Sequence, residues 1–277
     1  MTEVILCPNP ARDLALVATD RAAELLRQNG FLPRIAMISE SPDAEYPVPS
    51  LDNAALVVAF GGDGTVLRAA RIIVDADVPL IGVNMGGKGF LAELEPHELD
   101  MLPAIADGAF TPEPRLMLDL ELQRDGETLM RDFALNDCVI AGVAKVISLE
   151  IYGDERHISR VVGDGVVIAT PTGSTAYSLA AGGPVVEPTA RNIIVTPICA
   201  HALAAKPYVL SDDRVVTVDI SSERRNPVFL SVDGREPLEV RPGDRLIARR
   251  SVKNMVFAHI SERNFYGRVS EKLGHPQ

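Results

Sequence analysis

Basic residues are in deficit along this 277-residue chain: 27 lysines and arginines face 38 aspartates and glutamates, for a formal net charge of −11. A nucleic-acid surface needs clustered Lys and Arg, so this balance counts against a nucleic-acid partner. It leaves room for a small anionic ligand, because a site depends on local groups and not on the total. Long apolar runs are missing as well. No stretch of about 18 uncharged apolar residues occurs, which excludes a membrane-spanning helix and predicts no membrane partner. The opening MTEVILCPNPARD has neither a basic region nor a long apolar core, so secretion is not expected. Cysteine is scarce: Cys7, Cys138 and Cys199 are isolated, odd in number and set in apolar runs. They read as buried free thiols of a cytoplasmic protein.

Several chemical signatures are also absent. His97-Glu98 runs on into Leu99, Asp100 and Met101 and so makes no H-E-x-x-H; there is no C-x-x-C, and no metal ligand is assigned. Gly173-Ser174 continues into Thr175-Ala176, which breaks the G-x-S-x-G of serine hydrolases. A dinucleotide G-x-G-x-x-G starting at Gly62 would need glycine at Leu67, and no P-loop G-x-x-x-x-G-K-[ST] is present.

What is there describes an ordered globular protein, with 47% hydrophobic and 23% charged residues. Length permits one large or two medium domains. Over residues 1–95, strands (EVILC, RIAMIS, AALVVAF, PLIGVN) alternate with helical spacing at Asp13 to Gln28 and at Thr65 to Val74. That alternation predicts an α/β N-terminal domain with a parallel sheet, placed at 1–100. From there the pattern changes to many short strands such as RLMLDLEL, KVISLEIYG, VVIAT, NIIVTPI, RVVTVDI, DRLIARR and NMVFAHI. One helix is expected near Ser174–Ala181. These features predict an all-β, β-sandwich-like C-terminal domain at 101–262. The polar tail, 263–277, is expected to pack back on the first domain.

Four segments carry the chemistry. In VVAFGGDGTVLR, Gly61 and Gly62 follow a strand, and Thr65 is positioned to cap the next helix. Ligands collect outside the carboxyl ends of such strands, and glycine lets backbone N–H groups approach phosphate. Asp63 at the centre would repel phosphate, so it either faces a hydroxyl and takes its proton or simply closes an Asx turn. The segment alone does not separate the two. GVNMGGKGFL, with Asn84, is a second glycine-rich turn after the next strand. In Ala134-Leu135-Asn136-Asp137 an adjacent amide and carboxylate can bond a base edge and a ribose diol, or merely end a strand. The longest, DGVVIATPTGSTAYSLAAGGP, holds six hydroxyl-bearing residues within Thr170–Ser178. Ser174 and Thr175 can cap a helix; the remainder exceed what one cap needs and suit a sugar or phosphate.

GGDGT is shared by a kinase superfamily that includes NAD kinases, diacylglycerol and sphingosine kinases, and 6-phosphofructokinases. In this order and spacing, GGDGT, GVNxGxxGFL, LND and TPTGSTAYSLAAGGP resemble the bacterial NAD kinase family, as do TPICAHALAAKPYVL and LSVDGRE nearer the C-terminus. The resemblance implies the NAD kinase fold and transfer of the γ-phosphoryl group of ATP, or of polyphosphate, to the 2′-hydroxyl of the adenosine ribose of NAD. It implies Mg²⁺ or another divalent cation, which commonly rides on substrate phosphates. A homodimer or homotetramer is also implied. By motif position Asp63 matches the proton acceptor, Gly64 lies beside it against the ligand, and Arg68 falls where some members contact phosphate. Asn136 and Asp137 match the pair that engages NAD, and Asp164 the aspartate of a DG pair. Thr175, Ala176, Tyr177, Ser178, Leu179 and Ala180 match the ligand turn. Lys145 stands where a basic residue commonly contacts the dinucleotide, and Arg235 where glutamine is common. Two departures stand out: Val162 replaces a frequent arginine, so that one cationic contact is either missing or supplied by Arg235 or Lys145, and Ala141-Gly142 replace an HR-type pair. The alternatives are a lipid or sugar kinase of the same superfamily, or a non-catalytic NAD(P)-binding regulatory module.

Overall fold

Apolar runs expected as strands pair in parallel in the first part of the chain. The computed structural model describes residues 1–38, 50–86, 89–143, 145–201, 205–221, 227–260 and 265–274. The chain divides into one unit of Met1–Pro114 with Met255–Gln277, and a second of Arg115–Asn254. In the first, β1 (Glu3–Pro8), β2 (Leu32–Ile35), β3 (Ala54–Gly61) and β4 (Leu80–Asn84) stand in the order β2-β1-β3-β4, all parallel. β1 and β3 are buried nearly throughout, as a parallel sheet covered on both faces requires.

The covering helices are α1 (Val17–Gln28), α2 (Asp63–Ile73) and α3 (Leu102–Ala106). Leu26 of α1 and Leu102 and Ile105 of α3 share a core with Leu56, Val58, Phe60, Ile81 and Val83. On the opposite face, Val66 of α2 packs against Gly82, where an added Cβ would lie 3.0 Å from it. The pairing of Val57 with Leu80 runs on to Gly61 with Asn84, so both glycine-rich turns leave the sheet side by side.

Three expectations shift. The strand expected at RIAMIS is centred earlier, although Ala36 and Ile38 still donate to Leu6 and Pro8; Ser39 lies outside the described residues. The first unit extends beyond residue 100 to Pro114, because the short Pro96–Met101 3₁₀ turn and α3 pack their apolar residues against α1. At five residues, α3 is too short to show a helical period in sequence. The second boundary falls at Asn254 and not at 262, within a single long strand where two were read.

The second unit contains two antiparallel sheets. One comprises β5 (Thr111–Arg124), β6 (Glu127–Ala134), β8 (Ile147–Gly153), β9 (Arg156–Gly163), β13 (Val216–Ile220) and β16 (Arg245–His259), in the order β6-β5-β16-β13-β8-β9. The other comprises β7 (Asp137–Gly142), β10 (Gly165–Ala169), β11 (Asn192–Ile198), β12 (Tyr208–Ser211), β14 (Val228–Val232) and β15 (Leu238–Val240), in the order β12-β11-β10-β7-β14-β15. Strict alternation in β13 and β14 turns Val216, Val218, Ile220, Val228, Leu230 and Val232 into one core shared by both sheets. β10 is buried on both faces. Val166 and Ile168 join that core, while Val167 and Ala169 meet Val139, Ile194 and Ile198 under Ala181 and Val186. The hydroxyl-rich segment therefore lies across the outer face of this sheet.

A 3₁₀ turn (Thr172–Thr175) and the short α4 (Tyr177–Ala180) replace the single helix expected there, the break falling at Ala176. The last helix, α5 (Phe265–Leu273), belongs to the first unit. No helix among the described residues is long and apolar enough to cross a membrane. Cys7 and Cys138 are buried, but Cys199 is exposed, because it follows β11 in a turn with φ 44° instead of extending the strand inward.

Asp13 anchors the start of α1. Its carboxylate, 1% exposed, accepts the N–H groups of Ala18 and Thr19 at 3.0 and 2.9 Å and the Thr19 hydroxyl at 2.5 Å. Asp13→Ala leaves these donors unmet and is expected to destabilise by about 1–3 kcal/mol, read as a lower denaturant midpoint at unchanged slope. A loss under about 0.5 kcal/mol, ordinary for a surface change, would contradict the anchoring role.

Candidate active site

β3 delivers Gly61 to the first turn of α2, whose residues set the local geometry. An added Cβ at Gly61 would lie 2.1 Å from Thr65 Oγ1, so glycine is required for α2 to close onto the strand. The helix starts two residues earlier than expected, with Gly62 as its N-cap, so Thr65 does not cap it. Thr65 is buried, and its hydroxyl accepts from Asn9 Nδ2 at 3.2 Å. Gly62 and Gly64 differ from Gly61: an added Cβ would meet nothing within 4 Å at Gly62, and only Arg68 Nη1 at 4.0 Å at Gly64. Packing within the protein does not demand glycine at either position, and their backbone stays open to approach.

Asp63 is the first residue of α2, where the helix dipole favours negative charge. Its carboxylate crosses to the second glycine-rich turn, accepting the Phe90 N–H at Oδ2 (2.9 Å) and the Leu91 N–H at Oδ1 (3.0 Å). The Asx-turn alternative gives way to this long-range seat. An added Cβ at Gly89 would lie 2.5 Å from Asp63 Oδ1, so Gly89 makes room for the carboxylate. The turn folds back on β4, where Leu94 bridges Val83 and Glu93 and Leu94 donate to Gly82 O. Asn84, half-buried at the end of β4, donates to Glu95 Oε1 at 3.0 Å. Gly87 and Lys88 lie outside the described residues. Motif reading named Asp63 but missed Gly89, Phe90 and Leu91, although GKGFL was in plain view.

In the second unit Asn136 and Asp137 are held by a residue that the motif reading passed over. The Asp233 carboxylate accepts the N–H groups of Leu135 at 2.9 Å, Asn136 at 2.8 Å and Asp137 at 3.1 Å. Asp233 sits in the SVDGR turn with φ 48°, and its own N–H donates to Asp137 O. Thr170 closes the other side: its hydroxyl donates to Leu135 O at 2.6 Å and its N–H to Asn136 O at 2.8 Å. Gly173 packs so tightly that an added Cβ would lie 2.1 Å from Asn136 O. The fixed turn leaves Asn136 Oδ1 buried, with no hydrogen-bond partner among the described residues. A buried acceptor in that state is what a ligand donor would satisfy.

The hydroxyl surplus has an internal use at several positions. Ser174 exchanges hydrogen bonds with the Val186 backbone at 3.1 Å, and Ser178 bonds Thr196 at 2.8 Å in the buried layer. Thr172 meets Arg115 at 3.4 Å. Thr175 is half-buried and bonds Thr172 O at 3.3 Å, Ala176 and Leu179 are half-buried, and Tyr177 and Ala180 are exposed. Asp164 is exposed between β9 and β10 and accepts the Cys199 thiol.

Family comparison covers both halves of this architecture. The model described as the ATP-NAD kinase N-terminal domain matches residues 18–108, and that for the ATP-NAD kinase C-terminal domain matches 135–260. The NAD kinase of Ruminiclostridium cellulolyticum is 35% identical, over 99% of this chain and 98% of its own. NAD kinase 2 of Streptomyces coelicolor is 38% identical, over 99% and 94%. The chain belongs to the NAD kinase family. A crystal structure of an NAD kinase from Archaeoglobus fulgidus in complex with ATP aligns with TM-score 0.76 and 25% identity, over 99% of this chain and 100% of that one. Yeast NADH kinase complexed with NADH shares the fold at TM-score 0.85 and 23% identity, over 100% and 88%.

The two residues expected to supply a cation that Val162 does not are placed differently. Arg235 is paired with Asp132, Nη1 to Oδ2 at 2.8 Å, whereas Lys145 is exposed. Among the described residues no group of three or more His, Cys, Asp or Glu is arranged to hold a metal ion.

Asp137 has an unusual proton affinity. Burial and the nearby Asp233 charge push its pKa up to about 7, against the Tyr177 backbone N–H, which lowers it. A carboxyl group raised in the folded state stabilises fully below its unfolded pKa, about 3.9, and that contribution is lost as pH rises through the folded value. Relative to Asp137→Asn, the wild type should therefore lose melting temperature progressively from about pH 4 to about pH 7, then level off. A difference that stays constant across this range would exclude the shift.

Proposed function

We infer that this chain phosphorylates NAD, moving the γ-phosphoryl group of ATP or the terminal group of polyphosphate to the 2′-hydroxyl of the adenosine ribose and releasing NADP. The observation that carries the reading is the seat of Asp63. A carboxylate oxygen has two acceptor sites, and the Phe90 and Leu91 N–H groups use one on each Asp63 oxygen, so each retains a lone pair. Asp63 accepts the 2′-hydroxyl proton as that oxygen bonds phosphorus and the bond from phosphorus to the β,γ-bridging oxygen breaks. Open backbone at Gly62 and Gly64, with the N-terminus of α2, offsets charge on the phosphoryl oxygens. Gly61 and Thr65 hold that turn closed, Asn84 supports the second turn, and Arg68 contacts phosphate.

Asn136 and Asp137 engage NAD, a role supported by the buried Asn136 Oδ1. Asp164 and the Thr175–Ala180 turn complete the nucleotide contacts, Ser178 through the buried bond that holds the turn and the others through backbone or exposed side chains. Lys145, exposed, supplies the dinucleotide cation in place of the absent arginine, while Arg235 acts through Asp132. Mg²⁺ or another divalent cation arrives as part of the nucleotide substrate, on its phosphate oxygens. The enzyme works in the cytoplasm as a homodimer or homotetramer.

A coupled assay with ATP, Mg²⁺ and NAD is expected to yield NADP. Asp63→Asn should reduce turnover by roughly 10²–10⁴-fold, the usual contribution of a general base, while NAD affinity stays near wild type. Turnover within about tenfold of wild type would reject Asp63 as the base. Phosphorylation of diacylglycerol or a hexose phosphate in place of NAD would assign the chain to a neighbouring kinase class, and tight NAD binding without turnover would make it a regulatory module.

A further inference from the structure

The C-terminal helix brings a cation to the residues that seat Asp63. Its docking is specified by Glu93, a carboxylate 3% exposed. Arg268 Nη1 lies 2.7 Å from Glu93 Oε1 and 3.4 Å from Ala92 O, and His259 Nδ1 lies 3.3 Å from the same Glu93 oxygen. One helical turn beyond Arg268, on the same face, Lys272 holds its Nζ 5.2 Å from the centre of the Phe90 ring. Phe90 is the residue whose N–H donates to Asp63 Oδ2. The short segment from Phe90 to Glu93 thus grips Asp63 through backbone N–H groups and α5 through a ring, a carbonyl and a carboxylate.

Lys272 is half-buried, with its ammonium held over the Phe90 ring. Long cationic side chains ordinarily lay their stems on apolar surface and keep the head in water. Here the head is partly desolvated, which lowers its proton affinity, and the charge of Asp63 acts in the opposite direction, so the two groups sense each other. Arg268 is already engaged with Glu93. An incoming triphosphate would meet the negative charge of Asp63, and a compact ammonium over the ring of Phe90, the residue whose N–H seats that carboxylate, is suited to offset it.

We propose that Lys272 is a phosphate-binding residue of the transfer site: its ammonium contacts the oxygens of the transferred phosphoryl group and offsets the Asp63 charge, and the Arg268–Glu93 pair holds it there. The inference rests on the kinase reading above and adds a role for the tail in the reaction.

The test measures binding of inorganic tripolyphosphate with Mg²⁺ by calorimetry, beside binding of NAD, for wild type, Lys272→Met, Lys272→Gln and Lys272→Arg. Charge-assisted contacts to phosphate predict that Met and Gln weaken tripolyphosphate binding by about tenfold or more and that Arg restores most of it. NAD affinity should change by less than about twofold, well under the loss of one hydrogen bond. In turnover, KM for ATP should rise in the Met and Gln variants and recover with Arg. Should the Met variant fail to fold, the Gln and Arg pair decides the matter. Equal tripolyphosphate affinity in all four proteins, no measurable binding by wild type, or parallel loss of NAD and tripolyphosphate binding would overturn the proposal. Failure of wild type to make NADP, with tripolyphosphate binding still dependent on position 272, would overturn the kinase reading and leave the phosphate contact standing.

Discussion

Two backbone N–H groups, those of Phe90 and Leu91, hold the Asp63 carboxylate at the start of α2. Much of the first unit can be understood as what this contact needs. β3 and β4 must be neighbours in parallel register so that the residues after Gly61 and Asn84 leave the sheet together. Gly61 must lack a side chain so that α2 begins at once, and Gly89 must lack one so that the carboxylate fits. The loop after Asn84 must then fold back on β4, which the Glu93 and Leu94 bonds to Gly82 accomplish. Backbone donors are well suited to this role, because they are fixed by the fold and carry no side-chain entropy.

The same device appears in the second unit with the partners exchanged. Asp233 holds the N–H groups of three consecutive residues, and the residues so held present Asn136 and Asp137. In each unit a carboxylate stabilises a non-repetitive turn that has no ladder of its own, as buried backbone donors require. The proximity of Asp233 also raises the proton affinity of Asp137, although burial is the larger cause. Holding the turn and adjusting its acidity are therefore consequences of one placement.

Much of this could be read from consecutive residues. Alternation of EVILC, AALVVAF and PLIGVN with helical stretches indicated a parallel α/β unit, and the many short strands from RLMLDLEL onward indicated an all-β, β-sandwich-like unit. Asp63 stood out because a carboxylate at the centre of a glycine turn suited to phosphate would repel it, and Asn136 and Asp137 because an adjacent amide and carboxylate can bond a base edge and a ribose diol. Less legible were α3, too short to display a period, and the exposure of Cys199, which depends on one left-handed residue after β11. Hydroxyls of the TPTGSTAYS segment looked like ligand groups because their internal partners, Val186 and Thr196, are far along the chain.

By itself the sequence determined the class of each unit, the glycine turns and the acid among them, since periodicity and spacing are properties of neighbouring residues. Only the tertiary structure decided that Asp63 rests on Phe90 and Leu91, that Asp233 organises the turn of Asn136, and that Lys272 reaches the ring of Phe90. Such bonds join groups separated by tens of residues, and their geometry exists only once strand register and chain reversal have brought those groups within about 3 Å for hydrogen bonds, or about 6 Å for a cation over a ring.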